Sequence, residues 1–217
     1  MIPLKDNIVS RKKPYVVYSL LIINIIVFIA EITFGKNLIY EYGCIPIKII
    51  HWEDLHTLFT SMFLHADFTH IIGNMLFLYI FGDNVEDAMG HFWFIVFYIM
   101  AGIAGSFLHI LFNFNSTIPT IGASGAISGI LGSYFILYPR AKVLTVVFLF
   151  FFIRLVYLPA FIMLGIWFLY QLFLGFASLP TGGGGIAFFA HIGGFLFGML
   201  ISSFVKQRKR KQMSAMF

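Results

Sequence analysis

Residues 121–138 read IGASGAISGILGSYFILY, a run without a charged side chain, closed by Pro139, Arg140 and Lys142. A helix needs ~20 mostly apolar residues to cross a bilayer core of ~30 Å, so this stretch suits one crossing. Its small and hydroxylic content sets it apart: Ser124 and Ser128 lie near its start, and Gly125 and Gly129 follow them directly. Polar groups at membrane depth are costly and by default mark a site. The whole chain shares the apolar character, since 60% of its 217 residues are hydrophobic and only 11% are charged. A soluble domain carries roughly 25% charged residues, which excludes an ordinary cytosolic enzyme and puts any chemistry in a bilayer.

Toward the N-terminus, Phe92 to Phe112 forms the preceding span, Phe68 to Gly82 the one before it, and Pro14 to Phe34 the first. No small-x-small cleavage site closes that first run, so it reads as a retained anchor. Asp83 to His91 is a polar inner turn and Asn113 to Thr120 an outer one. Gly35 to Asp67 mixes Lys36, Lys48, Trp52, Glu53 and Asp54 with apolar residues, as a long external loop partly embedded in the interface would. Toward the C-terminus, Val143 to Leu174 is too long for one crossing. Arg154 and Pro159 divide it into a segment, Val143 to Val156, lying at or dipping into the inner interface, and a fifth span from Pro159 to Leu174. Ala177 to Gly185, with glycine from Gly182 to Gly185, is a flexible outer loop, and Ile186 to Val205 is the sixth span.

The net charge of +5 raises the question of nucleic acid, but the basic residues sit at the ends. Lys5, Arg11, Lys12 and Lys13 precede the first span, and Lys206, Arg208, Lys209, Arg210 and Lys211 follow the last. Such flanks mark the cytoplasmic side, so both termini are expected inside, with an even number of spans, a lipid bilayer as partner and no nucleic acid. The expected fold is an all-α membrane protein, a six-helix transmembrane bundle over 14–205 between basic cytoplasmic tails, 1–13 and 206–217. Its compact form and the absence of a transit peptide suggest a multi-pass protein of a prokaryotic cell membrane. The lone Cys44 excludes an internal disulfide and a cysteine-cluster metal site, and nothing in the sequence demands a metal or organic cofactor.

Spans two, four and six run from outside to inside, and all carry polar residues at a common depth of ~5–10 Å. These are His70 and Asn74 in the second, Ser124 and Ser128 in the fourth, and His191 in the sixth. The inner halves carry almost none, a pattern of a cavity open to the outside and not of a channel. A serine is a weak nucleophile until a base within hydrogen-bond reach takes its proton, and histidine is best poised for that near neutral pH. Gly125 and Gly129 on one helix, with Ala190, Gly194 and Gly198 on the other, give small residues at four-residue spacing, so the helices can approach until Ser124 and His191 touch. His70 and Asn74, at i and i+4, share a face from which they can donate hydrogen bonds to an oxyanion, and the Ser124 amide adds a third donor.

Other readings stand beside this one. Ser124 could serve helix packing, His191 a proton path, and His70 and Asn74 could join helices. An Asp67–His70–Ser124 triad is conceivable, although Asp67 immediately precedes a helix and suits an N-cap. His109 is another possible base. A transporter would bind solute with the same histidines, but it calls for polar residues continuing to the inner face.

Taken in order, His65, His70-x-x-x-Asn74, Gly82-x-x-x-Glu86-x-x-x-Gly90, Gly122-Ala123-Ser124-Gly125 and Ala190-His191-x-x-Gly194-x-x-x-Gly198 span most of the chain, and together they resemble the rhomboid intramembrane serine proteases. The resemblance implies a Ser124–His191 catalytic dyad, an oxyanion hole of His70, Asn74 and the Ser124 amide, a structural His65, and span five as the lateral gate for a substrate helix. It implies a serine endopeptidase that cleaves transmembrane segments of membrane proteins near their external end. Two departures stand out. Trp52 is followed by Glu53 where many rhomboids carry Trp-Arg, and Ser128 occupies a position where some place an aromatic residue on the catalytic histidine. No acidic residue lies in span four or six, so His191 must be oriented another way.

Overall fold

The structure, a computed structural model, describes residues 1–149, 152–179 and 185–214. It is mostly helical. The strand β1 (Ile2–Lys5) precedes the long helix α1 (Tyr15–Phe34). Three short helices follow, α2 (Asn37–Tyr42), α3 (Pro46–Ile50) and α4 (Thr57–Thr60), then a single 3-10 turn, Ser61–Phe63. Next come α5 (Phe68–Met89), α6 (His91–Phe112) and α7 (Ser124–Leu137). The strands β2 (Lys142–Leu149) and β3 (Phe152–Pro159) lead into α8 (Ala160–Ser178) and α9 (Phe188–Ser214). Among the described residues four helices are long and apolar enough to cross a membrane: α1, α6, α8 and α9 as far as Gln207. The shorter apolar α7 packs most extensively against α9.

Two expectations need correcting. The chain is not all-α: β1, β2 and β3 form a three-stranded antiparallel sheet in that order. Within the stretch expected at the inner interface, β2 pairs antiparallel with β3, with Lys142 opposite Pro159 and Val147 opposite Arg154. The physical basis of this pairing is a period of two. Val143 and Thr145 are fully buried while Lys142 is exposed, and β-branched residues favour the extended chain. The N-terminal residues are not simply a tail either, because Ile2 pairs with Val146 and Pro3 with Thr145. The second correction concerns Asp83 to His91, expected as a turn. Here α5 continues to Met89, and only Gly90, at φ +83°, breaks the chain before α6. A left-handed φ is cheap for glycine alone, which explains why the helix ends there.

The polar residues of that stretch stay within the helix because they have partners. Glu86, 1% exposed, accepts from the amides of Val16 (3.0 Å) and Val17 (2.8 Å), so one helix caps the orphan donors at the start of another. Its other contact is His91, 2.5 Å from Nδ1 to the carboxylate. Asp6, just after β1, accepts from Asn84 (3.0 Å) and from the Tyr134 hydroxyl, and Ser10 donates to Asp83 (2.6 Å). Lys206 on α9 donates to the carbonyl of Ile136 at the end of α7. The start of the chain and this end of α9 therefore lie at one end of the helices. Between this end and the other runs an apolar core of Phe81, Phe94, Tyr98, Leu131 and Tyr134, with Phe81 edge-on to Tyr134 at 4.9 Å.

Candidate active site

At the opposite end, α5, α7 and α9 begin close together. Asp67 caps α5 with its side chain, accepting from the His70 amide at 2.8 Å, a bond type that contributes about 1 kcal/mol. The same carboxylate accepts from Thr69 Oγ1 at 2.5 Å. Asp67 thus serves the backbone and its own turn; the His70 ring nitrogen Nδ1 instead accepts from the Ala66 amide at 3.4 Å, and no Asp67–His70–Ser124 triad forms. With Nδ1 as acceptor, the ring proton belongs on Nε2.

That Nε2 points at the turn before α7. Gly122 adopts φ +118°, and a Cβ built there would lie 2.7 Å from His70 Nε2 and 3.6 Å from Ser124 Oγ. Only glycine leaves room for the imidazole against this turn. The Gly122 amide is tied to the carbonyl of Ser61 at 2.9 Å, which anchors the turn to the loop before α5. Ser124 is therefore the first residue of α7, where free backbone amides and the helix dipole favour negative charge. Ser128 donates to the Ser124 carbonyl at 2.6 Å and is 1% exposed, so its hydroxyl is engaged by its own helix.

His191 lies in the first turn of α9, and its Nε2 is 2.8 Å from Ser124 Oγ. Its Nδ1 is 2.8 Å from Oε1 of Gln171, a residue of α8 that the sequence reading passed over. One turn earlier on α8, the Trp167 ring lies 6.1 Å from the imidazole. Asn74, two turns into α5, is 8% exposed, and its Nδ2 has no partner among the described residues. His70, Asn74, Ser124, Ser128, Trp167 and His191 line a cavity of about 730 Å³, together with His109 of α6. His109 bonds neither Ser124 nor His191, whose two nitrogens are taken. Gly185 borders the cavity; Gly182, Gly183 and Gly184 of the expected mobile loop lie outside the described residues.

His65, in the connection before α5, is 1% exposed and packs edge-on to His70 at 5.0 Å between ring centroids. Both carboxylate oxygens of Glu31 accept from its amide at 3.1 Å, which pins the loop to α1. Burial, and after it the neighbouring His70, holds the His65 imidazole down at about 4. An unfolded chain binds that proton from about 6.5 downward. The contribution of His65 to stability is therefore complete above 6.5 and is lost as pH drops from there toward 4. Relative to His65→Gln, the wild-type chain is expected to lose thermal stability in detergent over that window. An unchanged slope in that variant would assign the acid sensitivity elsewhere.

A family model described as the rhomboid domain matches residues 52–208, which include His65, His70, Asn74, Ser124, Gln171 and His191. Rhomboid protein 1, mitochondrial, of Saccharomyces cerevisiae is 31% identical over 166 residues, covering 71% of this chain and 44% of that protein. RHOMBOID-like protein 12, mitochondrial, of Arabidopsis thaliana is 30% identical over 142 residues, 58% of this chain and 42% of its own. Rhomboid protease GluP of Bacillus subtilis is 33% identical over 125 residues, 56% of this chain and 24% of its own. The chain matches less than half the length of each of these relatives. The helices, the turn at Gly122 and a match that extends over most of the sequence lead to one conclusion: this chain belongs to the rhomboid family.

Proposed function

We propose that the chain is an intramembrane serine endopeptidase, a bundle of six crossing helices that cuts transmembrane segments of other membrane proteins near their external end. The observation that carries this reading is the 2.8 Å contact between Ser124 Oγ and His191 Nε2 at the wall of a cavity. In the proposed orientation the basic ends of the chain face the cytoplasm and the cavity opens outside. The Ser124 oxygen attacks the scissile carbonyl carbon while its proton passes to His191 Nε2. The carbonyl oxygen, now anionic, receives hydrogen bonds from His70 Nε2, Asn74 Nδ2 and the Ser124 amide. When the C–N bond breaks, the proton on Nε2 goes to the leaving amine. Water entering the cavity then gives its proton to His191 and its oxygen to the acyl carbon, and Ser124 leaves protonated.

A substrate helix hides its carbonyls in its own hydrogen bonds, so it must unwind before Ser124 can reach one. Small or helix-breaking residues near the cut lower that cost. The test is cleavage of a transmembrane peptide in reconstituted vesicles, with labelling by a serine-reactive fluorophosphonate beside it. The wild-type chain is expected to cleave and to take the label, and Ser124→Ala to do neither. Cleavage that survives in Ser124→Ala would sink the proposal.

A further inference from the structure

His191 is held at both ring nitrogens, and the partner on the side away from the serine is neutral. We infer that Gln171 is the positioning residue that fixes the tautomer and orientation of His191; the inference rests on the peptidase reading above. Ser124 can donate its proton to Nε2 only where that nitrogen offers a lone pair, and in a neutral imidazole this requires the proton to sit on Nδ1. A buried N–H without an acceptor is costly. Oε1 of Gln171, 2.8 Å from Nδ1, is that acceptor. As Nε2 takes the serine proton, the Nδ1–H bond to Gln171 persists, and the ring cannot turn away from Ser124 between attack and protonation of the leaving amine.

The geometry around Gln171 is built for this contact. The residue is 6% exposed, so water does not substitute for it. Trp167, one turn before, packs beside the imidazole. Gly175, one turn after, brings α8 against α9: a Cβ there would lie 3.3 Å from Ile192 and 3.4 Å from Phe188. No carboxylate competes. The titratable groups facing His191 are His70 from α5 and His109 from α6, while α7 and α8 contain no charged residue. An amide orients the ring without adding the negative charge that a carboxylate would place beside a forming imidazolium. The chain therefore separates two jobs that an aspartate combines in soluble serine proteases.

The separation can be measured through the rate at which a fluorophosphonate labels Ser124 as a function of pH, with the full chain in vesicles. Gln171→Leu, which keeps the bulk and removes the acceptor, is expected to label about 10- to 100-fold more slowly at every pH, with kcat reduced and KM for a transmembrane peptide unchanged. Gln171→Glu is nearly isosteric and is expected to recover the rate at high pH while moving the acid limb upward by about one pH unit or more. A purely structural role for Gln171 would lower thermal stability in both variants and leave the acid limb in place. Either that result, or wild-type labelling in Gln171→Leu, overturns the inference. Ser124→Ala run in parallel keeps the two readings apart, because a silent Ser124→Ala beside an unaffected Gln171→Leu removes only the role of Gln171.

Discussion

Replacing Ser124 and His191 together by alanine is expected to cost no more activity than replacing either one alone. In the proposed mechanism the two groups form one unit: across the 2.8 Å contact the base would raise the nucleophilicity of a hydroxyl that is otherwise inert, and each would be useless to acyl transfer without the other. Residues that act as a unit are grossly non-additive, and single losses of such groups reduce turnover by about 10³-fold or more. Ser124→Ala, His191→Ala and the double variant should therefore all cleave a transmembrane peptide at the same background rate. Independent packing roles would give losses that multiply across the two sites. A double variant clearly slower than both singles would mean that Ser124 and His191 contribute separately, and the dyad would have to be abandoned. The comparison also guards against misfolding, since folding defects at separate sites accumulate whereas loss of a shared chemical step does not.

The sequence made much of this site legible because the bilayer is such a poor solvent for polar groups. His70, Asn74, Ser124 and His191 each interrupt an apolar run, and the cost of putting them there is visible without coordinates. Gln171 carries the same signal, as the one amide among the apolar residues of α8, and a survey extended to that helix finds it. What such a survey does not find is its partner, because the bond joins residues 20 apart in sequence across two helices. The capping role of Asp67 was readable because it is local: a side chain and an amide three residues apart. The sheet was hidden for a different reason. Its alternation is blurred by apolar residues on both faces, with Phe152, Ile153 and Leu155 all exposed, so length rather than period dominated the reading. The pairing of β1 with β2 joins residues such as Ile2 and Val146 that are far apart in sequence, and no local pattern announces it.

The same close approach that brings Ser124 and His191 together makes their contact vulnerable at two glycines far less conspicuous than the serine. Gly194→Ala and Gly198→Ala are expected to unseat α9 from α7 and to cut fluorophosphonate labelling of Ser124 by about 100-fold. A Cβ at Gly194 would collide with the carbonyl oxygen of Gly125, and one at Gly198 with that of Gly129. These are backbone atoms within helices, so no side-chain rotation relieves the clash and the helices themselves must move apart. Overpacking of this kind costs about 1–3 kcal/mol, and a displacement of ~1 Å between reacting groups costs about 100-fold in rate. The two effects have one cause, because the backbone that Gly194 touches belongs to the residue after Ser124, and Gly194 itself lies one turn from His191. Gly165 on α8 supplies the control. There a Cβ would meet only Phe135, at 3.8 Å, and Gly165→Ala is expected to preserve labelling while raising stability by up to about 1 kcal/mol through helix propensity. If Gly194→Ala unfolds at the wild-type temperature and labels at the wild-type rate, the two helices do not meet backbone to backbone, and the short distance between serine and histidine needs another cause.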